Sequence, residues 1–395
     1  MALTPSRNSV QPISALDLRA QRARLAGRIE AAIARVLDHG QFVLGPEVEA
    51  LEKRLTEFCS ARHAVLCANG TDALVVALRA WGVGAGHAVF VPAFTFAATA
   101  EAAALVGATP VLVDVSPADY TMDPASLARA IPVAREAGLR PKAVIAVDLF
   151  GQPADYSALH ELAQAHGMKL LADAAQSFGA ALAGRPVGTL AEATTTSFFP
   201  SKPLGCYGDG GAIFTDNEDL AIRLTSLCRH GIELGRHMTV GMNSRLDTIQ
   251  AAVLIEKLSI LPEEISARER TARLYTDHLA EISVTPTLRA DVRSAWAQYT
   301  IQVDDRDRLR EKLRSEGISS AVYYPEPLHA QPAFAGCPVS HGGLPVSEML
   351  AARVLALPVH PYLSDRDIER VISVIRRTAI AATYAVPTAA AQGEL

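Results

Sequence analysis

The sequence predicts an α/β protein with a large unit, whose mostly parallel sheet is covered by helices, and a smaller C-terminal α+β unit. Up to Thr215, short and almost continuously apolar segments alternate with helical patterns, which is typical of parallel strands buried on both faces. Beyond Asn217 this alternation gives way to charged helices and two strand-like segments. The 395 residues are enough for two such units.

The first predicted elements are helical. Residues 16–37 have an Arg-rich amphipathic pattern, and Gly45-Pro46-Glu47 begins a helix through residue 58, with proline in its first turn. Strands and helices then alternate along the chain. The strands are predicted at 64–68, 88–91, 110–115, 142–149, 169–172, 194–199 and 212–215, and the helices at 70–81, 95–106 and 156–166.

After residue 217 the pattern changes, and we divide a smaller unit from the large one near Ile260. Pro262 is expected to interrupt the helical pattern there. Helices are predicted at 218–229, 246–260, 263–279, 306–316 and 365–377, and strands at 298–303 and 320–324. The large unit is then 1–260, including the N-terminal helical segment, and the small unit is 261–380. Residues 381–395 are rich in Ala, Thr and Gln without periodicity, and we expect a disordered tail.

Composition excludes several classes of protein. The chain is 49% hydrophobic and 20% charged with a net charge of −5, so it suits a soluble globular enzyme and gives no reason to expect a nucleic-acid partner. Five cysteines with no CxxC pair argue against a disulfide framework or a metal site, and for a reducing compartment. We see no signal-peptide pattern and no apolar run of the roughly 18 residues that a membrane helix needs. A cytoplasmic protein without a membrane partner is expected.

One lysine and one aspartate suggest a particular chemistry. Lys202 is the only one of six lysines in a Ser/Pro/Gly-rich loop after a buried-looking strand, and Asp173 ends the predicted strand 169–172. Such a pair is what pyridoxal 5′-phosphate (PLP) requires, because the lysine binds the aldehyde covalently and the aspartate keeps the ring nitrogen protonated. Seen alone, Asp173 could equally cap the following helix.

A second group of residues could bind the phosphate of such a cofactor. Gly70 and Thr71 lie where a strand runs into a helix, and the free N–H groups of a helix N-terminus bind anions. An ordinary helix cap is the alternative interpretation. Ser197 precedes Lys202 by five residues and could reach the same phosphate, although it could also be an ordinary strand serine.

Two further side chains could contact the cofactor ring. Gln176 follows Asp173 by three residues and could donate a hydrogen bond to the phenolic oxygen of the ring. Phe96 follows a strand and could stack on the pyridine face, although an aromatic residue in that position is more often part of the core.

Three other segments have ordinary structural interpretations. Asn243 is placed to cap a helix, and Arg229-His230 is placed to end one, with the following glycine as its C′ residue. Tyr323-Tyr324 lies in an aromatic loop that either lines a pocket or simply packs.

As an ordered set, these segments resemble the DegT/DnrJ/StrS family of PLP-dependent nucleotide-sugar aminotransferases over residues 13–377. The segments that carry the resemblance are 45–47, 69–74, 92–99, 173–179, 197–211 and 243–251. Residues 197–211 are especially similar to the subgroup that aminates C3 of UDP-2-acetamido-2-deoxy-3-oxo-glucuronate for O-antigen and lipopolysaccharide synthesis. The resemblance implies a type I PLP aminotransferase fold, with 1–260 as the PLP-binding domain, and a homodimer with a shared active site.

The resemblance also implies roles for individual residues. Lys202 and Asp173 are the catalytic pair, and Asn243 reaches the phosphate of the neighbouring subunit. The cofactor-binding residues would be Gly70, Thr71, Phe96, Asp173, Gln176, Ser197, Lys202 and Asn243, and the substrate-binding residues would be Arg229, His230, Tyr323 and Tyr324. Tyr323 stands where the family pattern has histidine, which leaves the identity of the sugar open.

The expected function is transfer of the amino group of glutamate to a UDP-linked keto sugar. A C4 aminotransferase of the same family is the alternative within this chemistry. A PLP dehydratase of the family would have histidine in place of Lys202, which argues against that activity. A non-catalytic PLP-fold regulator and a generic α/β ligand-binding protein are the alternatives from other classes.

Overall fold

The computed structural model describes residues 11–384. The helices are α1 (Leu18–Arg24), α2 (Arg28–His39), α3 (Pro46–Cys59), α4 (Gly70–Ala80), α5 (Ala98–Leu105), α6 (Pro124–Glu136), α7 (Tyr156–Ala165), α8 (Glu218–Cys228), α9 (Thr248–Leu258), α10 (Leu261–Leu279), α11 (Arg306–Ser315), α12 (Pro345–Arg353) and α13 (Asp365–Tyr384). The strands are β1 (His63–Cys67), β2 (His87–Pro92), β3 (Thr109–Val113), β4 (Arg140–Val147), β5 (Lys169–Asp173), β6 (Ala181–Leu182), β7 (Arg185–Pro186), β8 (Ala193–Ser197), β9 (Gly211–Thr215), β10 (Ile232–Glu233), β11 (Arg236–His237), β12 (Val292–Arg293), β13 (Tyr299–Gln302) and β14 (Val354–Leu357).

A seven-stranded sheet forms the centre of the large unit, with the strand order β1-β9-β8-β5-β4-β2-β3. Strands β8, β5, β4, β2 and β3 are mutually parallel, whereas β9 runs antiparallel to both of its neighbours. Because parallel strands end at the same edge of a sheet, Asp173 at the end of β5 lies in register with Val147 of β4. The predicted α/β fold with a mostly parallel sheet is confirmed.

Both faces of this sheet are buried under helices. Val89 and Leu171 share one core with α4, α5 and α8, while the neighbouring residues Phe90 and Leu170 share another with α6 and α7. Successive strand residues point to opposite faces, so a strand buried on both sides must be apolar at every position. This explains the continuous apolar runs in the sequence.

Another apolar core lies around the antiparallel pair β13–β14 and also includes Ile13 from the N-terminal segment. Tyr299, Leu355 and Ile372 belong to this core together with Tyr275 of α10. The same helix also packs on the large unit, since Ile265 lies in a core with residues of α3 and α9. Helix α9 ends and α10 begins on either side of Ile260, where we predicted the division between the units.

Several element boundaries differ from the sequence-based expectations. Residues 16–37 are not one helix, because Gly27 adopts a left-handed conformation (φ 76°) that separates α1 from α2. Pro262 does not interrupt a helix; it lies in the first turn of α10, where its missing N–H costs no hydrogen bond. Residues 381–384 continue α13, and the rest of the predicted tail lies outside the described residues.

Residues 320–324 are not a strand. Ala321 makes a single bridge with Ala356 of β14, and the chain then turns toward the large unit, where Tyr324 contacts Gln176. Helices α6 and α12 and strand β14 were not anticipated. Within residues 11–384, no helix has the length and apolar character needed to cross a membrane.

Candidate active site

Asp173 lies at the carboxyl end of β5 and is 7% exposed. Its Oδ1 accepts a hydrogen bond from the Ala175 N–H (3.1 Å), and the Thr99 side chain also hydrogen-bonds to the carboxyl group. Burial raises the pKa of Asp173, because removing the carboxylate from water outweighs these donors and the positive charge of Lys202. A buried carboxyl group is therefore placed opposite a cation.

Lys202 lies in the connection between the antiparallel strands β8 and β9. The backbone folds into a tight turn there, with Lys202 N donating to Phe199 O (2.9 Å) and Cys206 N donating to Phe198 O (2.8 Å). Burial lowers the pKa of Lys202, and the Asp173 charge opposes that shift. A lowered pKa increases the neutral fraction of the amine, and the neutral amine is the form that acts as nucleophile or base.

A second lysine, Lys257, donates a hydrogen bond to the backbone of this turn. Lys257 of α9 is 2% exposed, and its Nζ donates to Gly205 O (2.5 Å) and lies 4.7 Å from the Tyr207 ring centroid. A Cβ on Gly205 would approach Pro200 O to 2.6 Å, so the turn closes tightly at this position. Burial lowers the pKa of Lys257 to about 8.

A cradle for an anion forms where β1 runs into α4. Asn69 Oδ1 accepts from Asp72 N (2.8 Å), and Ala73 N donates to Asn69 O (3.1 Å), which leaves the first helical N–H groups, those of Gly70 and Thr71, facing outward. A Cβ on Gly70 would meet the Ser197 Cβ at 2.8 Å. Because glycine has no Cβ, the N-terminus of α4 can pack directly against Ser197.

Aromatic side chains form one wall of the site. The Tyr324 ring centroid lies 6.3 Å from that of Phe96 and 6.1 Å from that of Phe94. Gln176 joins this wall to the strand ends, because its Nε2 donates to Tyr324 OH (3.3 Å) and its Oε1 accepts from Phe150 N (2.7 Å). Phe96 is 58% exposed, so its ring is available to a ligand.

The sequence analysis did not identify Asp148, a buried acid near Asp173. Asp148 follows β4, is fully buried, and accepts hydrogen bonds from Tyr156 OH (2.7 Å) and Ser177 Oγ (2.6 Å). Burial raises the pKa of Asp148 to about 7 despite these donors, and the nearby Asp173 contributes to the rise. Thr99 was missed as well. An acid directly after a buried strand could have indicated Asp148, but its partners are set by tertiary packing.

Three of the predicted site residues lie together beside the β10–β11 hairpin. Arg229 and Asn243 pair through an antiparallel bridge at the base of the β10–β11 hairpin, next to His230. The Arg229 charge lowers the pKa of Glu52 in α3, against the larger effect of burial. Asn243 does not cap a helix, because α9 begins only at Thr248. Tyr323 packs edge-on against Tyr324, with ring centroids 6.1 Å apart.

The contacts thus join Asp173 to Lys202, Gly70 to Ser197, and Gln176 to Tyr324 and through it to Phe96. An amine, a buried carboxyl group, an anion cradle and an exposed aromatic ring all lie around the ends of β1, β5 and β8. Such a constellation can bind a ligand covalently, hold an acidic ring nitrogen and fix a phosphate.

Comparison with known proteins agrees with this arrangement. The UDP-2-acetamido-2-deoxy-3-oxo-D-glucuronate aminotransferase of Pseudomonas aeruginosa is 46% identical to this chain, over 92% of this chain and 99% of its own length. The crystal structure of a DegT DnrJ EryC1 StrS aminotransferase from Brucella abortus is similar with a TM-score of 0.92 and 50% identity, covering 93% of this chain and 99% of that one. The structure of NtdA from Bacillus subtilis with bound cofactor PMP is similar with a TM-score of 0.83 and 29% identity, covering 94% and 86%.

The model of a sequence family covers almost all of the described residues. It matches residues 24–376, from the end of α1 into α13, and therefore includes both units and every residue of the candidate site. The chain belongs to the DegT/DnrJ/EryC1/StrS aminotransferase family.

Proposed function

We propose that this chain is a PLP-dependent aminotransferase that moves the amino group of glutamate to a UDP-linked keto sugar. The substrate we favour is UDP-2-acetamido-2-deoxy-3-oxo-glucuronate, aminated at C3 for O-antigen and lipopolysaccharide synthesis, in line with the named activity of the 46% identical relative. The observation that carries the proposal is the pairing of the Lys202 amine with the Asp173 carboxyl group at the strand ends.

The residues present suit PLP. The Gly70 and Thr71 N–H groups and the Ser197 hydroxyl would hold the phosphate, because Gly70 lets the start of α4 pack directly against Ser197. Asp173 would bind the ring nitrogen, and Gln176 would bind the phenolic oxygen. When bound, PLP withdraws electrons from the substrate carbon that loses or gains the amino group.

The chain itself then has three tasks. Lys202 would bind the cofactor covalently and, once its amine is free, would carry a proton to and from the substrate carbon. Its lowered pKa increases the neutral fraction of the amine, which is the form that acts as a base. Asp173 stabilises positive charge on the ring nitrogen in a site shielded from water. Phe96 and Tyr324, whose rings lie 6.3 Å apart, would cover one face of the cofactor ring and exclude water from it.

Substrate recognition is assigned to residues around this core. We propose that Arg229, His230, Tyr323 and Tyr324 contact the nucleotide sugar. Arg229 is suited to a diphosphate because it presents a fixed fork of donors. We place the enzyme in the cytoplasm, since all five cysteines are free thiols and suit a reducing compartment.

We further propose a homodimer in which each site takes Asn243 from the neighbouring chain. The β10–β11 hairpin beside Asn243 exposes large apolar residues, among them Leu234, Met238 and Val240. Apolar groups so exposed on a soluble chain favour burial against a partner. A partner chain would also explain why Asn243 is exposed.

Mixing two defective variants tests the shared site. Asn243→Ala is expected to weaken cofactor retention, and Lys202→Ala is expected to be inactive. Co-expressed, the two variants should regain activity at limiting cofactor, because one of the two sites in a hybrid dimer then contains both wild-type residues. Separately expressed and unmixed variants serve as the control. A site built within one chain predicts no regain.

The substrate is tested by offering a panel of keto-sugar nucleotides to the protein loaded with pyridoxamine phosphate. Return of the aldehyde absorbance reports amino transfer, and the 3-oxo UDP-glucuronate derivative should react fastest. Faster reaction of 4-keto sugars would contradict C3 specificity. A coloured protein that reacts with no sugar and no glutamate would instead be a non-catalytic regulator, and a colourless one would refute the cofactor site.

A further inference from the structure

Asp148 is a buried carboxylate to which the proposed reaction assigns no task. It directly follows β4, one strand away from Asp173, and is fully buried. A carboxylate in such a place is costly unless donors satisfy it. Its Oδ1 accepts from Ala154 N (2.9 Å) and Tyr156 OH (2.7 Å), and its Oδ2 accepts from Ser177 Oγ (2.6 Å).

The contact with Ser177 reaches into the segment that carries the site. Ser177 closes the turn that follows β5, since its N–H donates to Ala174 O (3.1 Å). The backbone N–H of Asp148 also donates to Asp173 O (3.1 Å). Asp148 therefore holds both ends of the segment 173–177, and Asp173 and Gln176 project from that segment.

A third contact completes the attachment. Phe150 N donates to Gln176 Oε1 (2.7 Å), so the stretch that begins at Asp148 also fixes the amide group of Gln176. We propose that Asp148 is a positioning residue, which holds the turn 173–177 so that Asp173 and Gln176 address the cofactor ring together. The inference rests on the proposed cofactor site.

Three titratable or charged groups act on Asp148 or on its phenol partner. Asp173 is the nearest acid, Tyr156 is the phenol on its Oδ1, and Arg289 acts on Tyr156. Asparagine at position 148 would retain an oxygen for Tyr156 and Ala154, and its amide NH₂ could donate to the Ser177 hydroxyl, which can also accept. Asp148→Asn thus conserves the side-chain links to Ala154, Tyr156 and Ser177, whereas Asp148→Ala removes them and keeps only the backbone bond to Asp173 O.

A matched control exists at the end of another strand. Asp114 follows β3, is 4% exposed, and accepts from Val346 N (3.0 Å), Ser347 N (2.8 Å) and Ser347 Oγ (2.6 Å). Its burial and number of donors are like those of Asp148, but its partners belong to α12. Asp114→Ala should therefore reproduce the general cost of losing such an acid while leaving the hydrogen bonds of the segment 173–177 in place.

The test compares Asp148→Ala, Asp148→Asn, Ser177→Ala and Asp114→Ala in three measurements. In the cofactor-loaded protein, Asp148→Ala should lower kcat of the glutamate half-reaction about tenfold with little change in KM, because small displacements of reacting groups are costly. The pH titration of cofactor absorbance should shift in Asp148→Ala and Ser177→Ala. In cofactor-free protein, amide hydrogen exchange in residues 173–177 should accelerate in the same two variants.

If Asp148 acts by positioning, Asp148→Asn should restore kcat and the absorbance titration, and Asp114→Ala should change neither. A general loss of stability would instead affect both alanine variants alike. Wild-type kcat and titration in Asp148→Ala, or the same changes in Asp114→Ala, would overturn the proposal. If Asp148→Ala does not fold, Ser177→Ala decides, since it breaks the same link and leaves the carboxylate with two donors. A wild-type protein that binds no PLP would refute the cofactor site itself, and Asp148 would then be no positioning residue for it.

Discussion

Replacing Lys202 with alanine is expected to reduce turnover at least about 10⁴-fold, because both the covalent attachment of the cofactor and the proton transfer lose their amine. The turn between β8 and β9 should stay intact, since its bonds at Phe199, Cys206 and Gly205 are made by the backbone and by Lys257. The loss therefore belongs to the chemistry and not to the fold. Single-turnover kinetics with glutamate, together with thermal unfolding, measure the two effects separately.

Lys53 offers the control, because it is an exposed lysine on α3. Lys53→Ala should leave turnover at the wild-type level. Borohydride reduction of the loaded wild-type protein, followed by peptide mapping, should place the cofactor on Lys202. An adduct on Lys257 would contradict the assignment, and it is not expected because that amine is enclosed and bonded to Gly205 O.

Replacing Asp173 with asparagine is expected to lower turnover about 10²- to 10³-fold, the usual cost of losing one preorganised electrostatic partner in a closed site. Asparagine keeps an oxygen for the Ala175 N–H but lacks the negative charge that would hold a proton on the ring nitrogen. Cofactor binding through Lys202 should persist. Kinetics and cofactor affinity, measured on the same preparation, separate chemistry from binding.

The same substitution makes a prediction for the cofactor-free protein. The Asp173 charge raises the pKa of Lys202 and so opposes the effect of burial. Without that charge the pKa of Lys202 should fall further, and the amine should react with an acylating reagent at lower pH than in wild type. Asp114→Asn, at a buried acid elsewhere, should leave the acylation profile of Lys202 unchanged. A profile that moves to higher pH in Asp173→Asn would show that the two groups do not interact as described.

The sequence allowed the central sheet and the proximity of Lys202 and Asp173 to be predicted because both leave local signals. Strands buried on two faces must be apolar throughout, and Lys202 lies in a Pro- and Gly-rich turn that no other lysine shares. The contacts of Thr99 and Asp148 left no such signal, because their partners are distant in sequence and meet only when strands align. Helix α6 was missed for a local reason, since Pro132 within it obscures the helical pattern.

Tyr324 illustrates the other limit of sequence reasoning. Its segment looks extended and apolar, yet one bridge at Ala321 is all the pairing it makes with β14 before turning to Gln176. The resemblance placed Tyr324 near the substrate without explaining how. The contacts of Tyr324 with Gln176, Phe94 and Phe96, which local propensity does not encode, determine that this segment leaves the sheet.

The pairing of β1 with β9 has a consequence for the order of events during synthesis. Strand β1 emerges from the ribosome early, but its partner ends only at Thr215, so β2 to β5 and their crossover helices can associate first. Addition of β9 then brings Gly211 against Asn69, with a Cβ there only 2.5 Å from the Asn69 carbonyl oxygen. We therefore expect the start of α4 at Gly70 and the turn that carries Lys202 to reach their final arrangement together, only after β9 has been synthesised.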